Sequence, residues 1–325
     1  MKTKQFVKHV FVAAFSLCST NIFSQTIIKV TESDRHGWEK DERHLGKIHF
    51  ANGPSKPPLH KGSLEFDAPV NGHARQVRMR NSVYSGILLS SITELSYSTY
   101  VQKAGSKWDA PLLVLLVDID GDGKAERDGL KDGDIAHITF IPRFQNLEDT
   151  TGYPVKFGWY KPKKTNDKGI RWQHPVRQNA WQTWDLLHGG WINWTVVNKT
   201  VDTSPSLFTL SGFIAQHPNA RIVNDKRGGG IRIQAGGPDM ADNFIGNVDA
   251  FTIGINGKTT VYDFEIDSRE GLDPNKKVDT NPGQKLNTSA NRNAPEIPIN
   301  ALTIIKITDS VVKRLRLGKG RTSPG

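Results

Sequence analysis

The sequence predicts an all-β protein, an antiparallel two-sheet sandwich of jelly-roll type with little helix. Three observations carry that prediction. From Gly62 to Asp267, short apolar or alternating runs recur between clusters of Gly, Asn, Asp and Pro, the texture of many short strands separated by turns. No helical apolar period persists; Leu207–His217 (LFTLSGFIAQH) is the best helix candidate, and Pro218 stops it. No repeat of 20–50 residues is visible, which sets aside propellers and solenoids.

The chain of 325 residues opens with Lys2, Lys4 and Lys8, then the apolar run Val10–Leu17, then small and polar residues. That is the order of a secretory signal over residues 1–24, with cleavage expected between Ser24 and Gln25. The run is too short to span a bilayer, and no later stretch approaches the roughly 20 residues required. Cys18, the one cysteine, falls inside this signal, and Leu17 stands where a lipoprotein signal needs a small residue. The mature chain is therefore expected to hold no disulfide, no cysteine nucleophile and no thiolate metal site.

Residues 25–61 read as a leading segment with one strand candidate, Thr26–Val30, and a Pro-rich stretch, Pro54–Pro58. The sandwich is assigned to residues 62–270. Its strand candidates are Gly62–Asp67, Ser85–Ser91, Leu112–Val117, Ile135–Ile141, Ile231–Ala235, Val248–Ile255 and Thr259–Glu265. Residues 271–298, polar and punctuated by proline, read as a linker. Residues 299–325 read as a last strand and a basic tail.

The formal charge of +10 is concentrated at the ends: three lysines of the signal, and six cations against Asp309 over residues 301–325. The body between them is nearly balanced. A nucleic-acid reader carries its basic patch on the folded body, so that class of partner is excluded.

The run Val117–Gly129, VDIDGDGKAERDG, places Asp118, Asp120 and Asp122 at alternate positions and follows them with Gly123. A hard cation such as Ca2+ needs several oxygen ligands from one short loop, and glycine permits the sharp turn. The first half fits the helix–loop–helix calcium pattern, but Gly129 stands where that pattern has a bidentate Glu. The preceding run Ala110–Val117 (APLLVLLV) is wholly apolar and reads as a buried strand. The candidate metal set is Asp118, Asp120, Asp122, Lys124, Glu126 and Asp128. The bland alternative is an acidic hairpin turn without metal, since Asp and Gly dominate turns.

Six of the eight tryptophans fall between residues 157 and 194. Indole is a flat, rigid platform with a polar N–H, suited to the apolar faces of sugar rings. Trp159, Trp172, Trp184, Trp191 and Trp194 are the glycan-binding candidates. Against them stands the common use of Trp to fill the space between sheets. Trp181 and Trp184, in the run WQTWD, are expected to divide between surface and core.

The stretch Gly228–Glu265 contains GGGIRI, GNVDAFTIG and a closing YDFE. With GSLEF at Gly62–Phe66, this order resembles the concanavalin-like and laminin-G-like sandwich domains of secreted bacterial proteins. It is also similar to a group of uncharacterised exported proteins that pair WQTWD with GGGIRI and GNVDAFTIG. The resemblance implies glycan or partner-protein binding, often with calcium and mostly without catalysis. Gly246, Asp249 and Tyr262–Phe264 carry it residue by residue, with Asp249 expected to anchor a loop.

One enzymatic alternative stands beside this. Glu265–Glu270, EIDSRE, resembles the catalytic signature of retaining β-glucanases. That resemblance implies Glu265 as nucleophile, Asp267 as electrostatic helper and Glu270 as general acid, with the two glutamate carboxyls about 5–5.5 Å apart. The match departs at Ser268 and Arg269, and no WP lead-in precedes it. No histidine pair has zinc spacing on a helix, and Ser211 lacks the nucleophile-elbow pattern. The sequence thus points to a secreted, non-catalytic module with a calcium loop that recognises a polysaccharide or cell-surface glycan. The glycoside hydrolase and an adhesion or structural module without small ligand remain as alternatives.

Overall fold

A computed structural model describes residues 25–42, 45–69, 76–104, 110–123, 135–148, 153–155, 158–160, 169–194, 206–225, 228–236 and 243–267. In chain order the strands are β1 (Gln25–Val30), β2 (Trp38–Asp41), β3 (Lys47–Asn52), β4 (Gly62–Ala68), β5 (Val77–Asn81), β6 (Ile92–Lys103), β7 (Leu112–Asp118), β8 (Ile135–Phe140), β9 (Tyr153–Val155), β10 (Gly158–Tyr160), β11 (Trp181–Asp185), β12 (Gly190–Asn193), β13 (Phe208–Thr209), β14 (Arg221–Ile222), β15 (Ile231–Ala235), β16 (Phe244–Ile255) and β17 (Lys258–Phe264). An α-helix, α1 (Leu210–Gln216), lies among the described residues between β13 and β14.

Fifteen of these strands form two packed sheets, the all-β sandwich expected from the sequence, and β9 and β10 pair with each other in a separate antiparallel hairpin. One sheet has seven strands: the order β1-β17-β16-β4-β3, with β6 against β16 and β11 against β6. The other has eight, in the order β13-β12-β8-β7-β15-β5-β2 with β14 beside β7. The pairings are antiparallel with one exception: β1 runs parallel to β17, Gln25 opposite Thr259 through Val30 opposite Phe264. These strands are joined by the rest of the domain, so no hairpin forces them antiparallel. Residues 25–61 are accordingly not a separate leader to the sandwich: β1 and β3 belong to one sheet and β2 to the other.

Alternation sorts the side chains. Leu64, Phe66, Leu95, Tyr97, Val101, Phe244, Val248, Phe251 and Phe264 of the seven-stranded sheet meet Trp38, Met79, Leu113, Leu115, Ile138, Phe140, Ile231 and Ile233 of the other in one core. Edge-to-face aromatic contacts bridge the layers. Trp38 lies 5.3 Å from Phe251 and 5.5 Å from both Tyr262 and Phe264, and Phe140 lies 6.4 Å from Tyr97. These distances fall within the range of favourable aromatic pairs.

Strand β7 explains its own sequence. Leu113, Leu115 and Val117 enter this core, while Leu112 and Val114 enter a second cluster with Ile141, Phe144, Ile170, Ile192 and Leu207. Burial on both faces demands an apolar residue at every position, hence a run with no alternation.

Two elements differ from expectation. Ser85–Ser91 is not a strand: a turn leads to a single 3-10 turn at Leu89–Ser91 that sequesters Leu89 in the core. The strand follows as β6, twelve residues long, whose inward set Leu95, Tyr97, Thr99 and Val101 includes a threonine bonded to the Trp184 indole. Its alternation is thereby hidden among Ser, Thr and Tyr. The helix begins at Leu210, where the Thr209 hydroxyl accepts the Gly212 N–H at 3.0 Å as an N-cap; Leu207 belongs to the second cluster instead. Among the described residues no helix is long and apolar enough to cross a membrane.

Phe140→Ala is expected to cost about 3–5 kcal/mol in urea unfolding, because this fully buried ring touches aromatic partners in both sheets. Ile27→Ala on the exposed edge strand should stay within about 0.5 kcal/mol. Equal effects from the two would contradict this account of the core.

Candidate functional site

The acidic loop grows directly from the doubly buried strand. Asp118 is the last residue of β7, opposite Ile135 of β8 and Arg221 of β14, and is 1% exposed. Its Oδ1 accepts the Gly121 N–H at 2.9 Å and its Oδ2 the Gly123 N–H at 2.8 Å. The Asp122 N–H in turn donates to Asp120 Oδ1 at 3.1 Å. Wrapping amides round a carboxylate this tightly needs left-handed backbone, and Gly121 (φ 80°) and Gly123 (φ 81°) supply it. At Gly121 a side chain is excluded a second time: an added Cβ would lie 2.5 Å from the Asn219 carbonyl oxygen.

The result gathers one ligand atom each from Asp118, Asp120 and Asp122 within 4.8 Å of one another, with Asp120 and Asp122 exposed and Asp118 buried. Like charges so placed repel, and a divalent cation offsets the repulsion. The donors are all hard carboxylate oxygens, and each amide-bonded oxygen keeps a second lone pair. Asp118, Asp120 and Asp122 are a group that could hold a metal ion. Lys124, Glu126 and Asp128, the remaining candidates from the sequence, lie outside the described residues.

The tryptophan candidates divide sharply. Trp184 and Trp191 are 0% exposed. Trp184 donates its indole N–H to Thr99 Oγ1 and Trp191 to the Leu186 carbonyl. Neither ring has a face left for a ligand, which corrects their assignment as glycan platforms: they are needed to fill the inter-sheet space beside Phe140. Trp172 and Trp194 are partly buried, and both pack on the second hydrophobic cluster. Trp159 falls in β10, and its side chain lies outside the description. Trp181 takes the outer face, as its spacing from Trp184 implied. It contacts Tyr100 at 5.5 Å between centroids and donates its indole N–H to the Pro54 carbonyl.

The β-glucanase-like carboxylates do not form an open site. Glu265 is 7% exposed, and its Oε1 accepts the backbone N–H groups of Lys61 and Gly62 at 2.8 and 2.5 Å. Asp267 turns elsewhere, accepting the hydroxyl and N–H of Ser33. A nucleophile must face a sugar, and an enclosed, amide-bonded Glu265 does not; Glu270 lies outside the described residues. Asp249 has the role expected of it. It is buried, and its oxygens accept the N–H groups of Leu59 and Phe264 at 3.0 and 3.2 Å. It thereby ties the β3–β4 loop to the last strands.

Burial pushes the Asp249 carboxyl up to about 7, against the restraining amide bonds of Leu59, Ala250 and Phe264. Asp263 is likewise raised by burial, with the His60 hydrogen bond opposing and the Glu265 charge adding. The partners of these two acids were not legible in the sequence, because Leu59 and His60 lie 190 and 203 residues away along the chain. Comparison with protein-family models, curated proteins and solved structures gives no match for this chain. What fold and site define together is a two-sheet β-sandwich with a convergent acidic loop at one strand end.

The Asp249 shift has a sign that experiment can check. Between its ordinary 3.8 and about 7, the native chain holds a proton that the unfolded chain has lost. Stability therefore falls as pH rises through that window. In urea melts, Asp249→Asn is expected to gain stability relative to the parent between about pH 4 and about pH 7.5. A difference constant with pH would contradict the shift.

Proposed function

We propose that this protein is an exported, non-catalytic recognition module that takes up Ca2+ at the Asp118–Asp120–Asp122 loop and binds a polysaccharide or cell-surface glycan. The observation that carries the reading is the seat of Asp118. A buried acid at the end of a doubly covered strand folds Gly121 and Gly123 around itself and draws two exposed acids to within 4.8 Å. Such a loop is largely organised before any ion arrives, so little ordering cost opposes binding.

The glycan part rests on Trp172 and Trp194, which keep exposed surface while packing on one apolar cluster. A ring partly buried on an apolar cluster is held rigidly, and what remains exposed of it is suited to stacking on a sugar. Against the glycoside-hydrolase alternative stands Glu265, whose carboxylate is engaged by two backbone amides. A second reading, an adhesion or structural module without small ligand, draws on the complete burial of Trp38, Trp184 and Trp191.

Thermal melts of the chain with chelator and with Ca2+ test the first part. At about 100-fold over its dissociation constant, an ion that binds only the folded state adds about 2.7 kcal/mol. The increment should vanish in Asp120→Asn/Asp122→Asn, which changes only exposed loop acids; an unchanged parent melt defeats the proposal. A glycan array tests the second part: Trp172→Ala and Trp194→Ala should each lose the parent's hits. Hits indifferent to both substitutions would favour another surface, and no hits at all would favour the structural module.

A further inference from the structure

We propose that His60, Asp263 and Glu265 form a second cation site, one that takes a divalent first-row transition metal of the zinc type. One ligand atom from each lies within 4.8 Å of the other two. The cluster sits where the β3–β4 loop crosses the outer face of the seven-stranded sheet, and each member is placed by a separate constraint.

Asp263 is placed by the pleat of β17. Its neighbours Tyr262 and Phe264 face the core, so its own side chain projects outward, beneath the loop. That side chain is 2% exposed. Its Oδ2 meets His60 Nδ1 at 2.7 Å, and its Oδ1 is buried without a hydrogen-bond partner. A buried carboxylate oxygen left unpaired is among the costlier polar defects a fold can carry. A coordinated cation removes that defect.

Glu265 is placed by the loop's own backbone, since its Oε1 holds the Lys61 and Gly62 amides. His60 is placed by clamps on either side. The Leu59 N–H is fixed on Asp249 and the Lys61 N–H on Glu265, holding His60 in a left-handed conformation, φ 34°. Its ring is 66% exposed, which leaves a route from solvent. Two buried acids and one imidazole carry an excess of negative charge that suits a divalent ion.

The donor set separates this site from the Asp118 loop. Calcium prefers six or more oxygens, whereas imidazole with two carboxylates suits zinc and its neighbours. Zinc bonds of about 2.0–2.2 Å hold donors farther apart than the present His60–Asp263 hydrogen bond. Uptake therefore replaces that bond and moves the exposed ring, which is the member free to move. The ion would staple the β3–β4 loop, whose Pro54 carbonyl holds Trp181, onto the last strand.

Isothermal calorimetry with ZnCl2 on the chelator-stripped full chain tests this, in an Asp120→Asn/Asp122→Asn background that silences the acidic loop. One Zn2+ per chain is expected, weakened at least about 10-fold by His60→Ala and lost in Asp263→Asn. His60→Ala also removes the hydrogen bond to Asp263 Oδ2, so its metal-free melt is measured alongside and the calorimetry is run below that transition, where weakened binding is not unfolding. Absence of binding in the parent, affinity unchanged in His60→Ala, or displacement of Zn2+ by equimolar Ca2+ would each overturn the proposal.

Discussion

Enclosure of β7 on both faces is the constraint from which the rest of the molecule follows. Leu113, Leu115 and Val117 fasten the eight-stranded sheet to its partner, and Leu112 and Val114 recruit a second layer of loop and helix-flanking residues over its back. A strand so held cannot slip, because a one-residue shift exchanges its two faces and would displace every contact on both. Its end is therefore a fixed point. Asp118 stands at that point, and the conformation of Gly121 and Gly123 is dictated by a carboxylate that cannot retreat.

The same logic recurs with other acids. Asp249 and Glu265 are buried carboxylates that accept backbone amides from the β3–β4 loop. Among the described residues there is no cysteine, so no disulfide ties these loops down. Hydrogen bonds to a charged acceptor are roughly twice as strong as neutral ones, and here they serve as the fasteners between loops and sheets. The cost is burial of negative charge, visible in the raised carboxyls of Asp249 and Asp263.

Legibility in the sequence followed the range of the interaction. The apolar run of β7, the spacing Asp118-Asp120-Asp122 and the late strands β16 and β17 are local patterns and were readable as such. β6 was not, because its inward face uses Tyr97 and Thr99 as core residues and its outward face mixes Ser96 and Ser98 with Tyr100. Nor was the fate of the tryptophans. Whether an indole fills a core or meets a ligand depends on what lies across the sandwich, and Phe140 settles it for Trp184 and Trp191. His60 is the extreme case: a lone histidine after a Pro-rich stretch acquires meaning only through Asp263, 203 residues later.

Carboxylates that fasten loops also prepare cation sites, and the reason is the number of lone pairs. An oxygen that accepts one amide keeps a second acceptor position, and the amide fixes the direction in which that position points. A loop that folds around a buried acid thus builds a coordination direction as a by-product of satisfying its own backbone. Where other acids converge on the same direction, as Asp120 and Asp122 do on Asp118, their mutual repulsion opposes the folded loop. An ion taken up there, as proposed, would make binding and loop stability one equilibrium seen from two sides. Opening would begin at these charge-fastened loops, since β7 and the aromatic bridge from Trp38 to Phe251 owe nothing to charge.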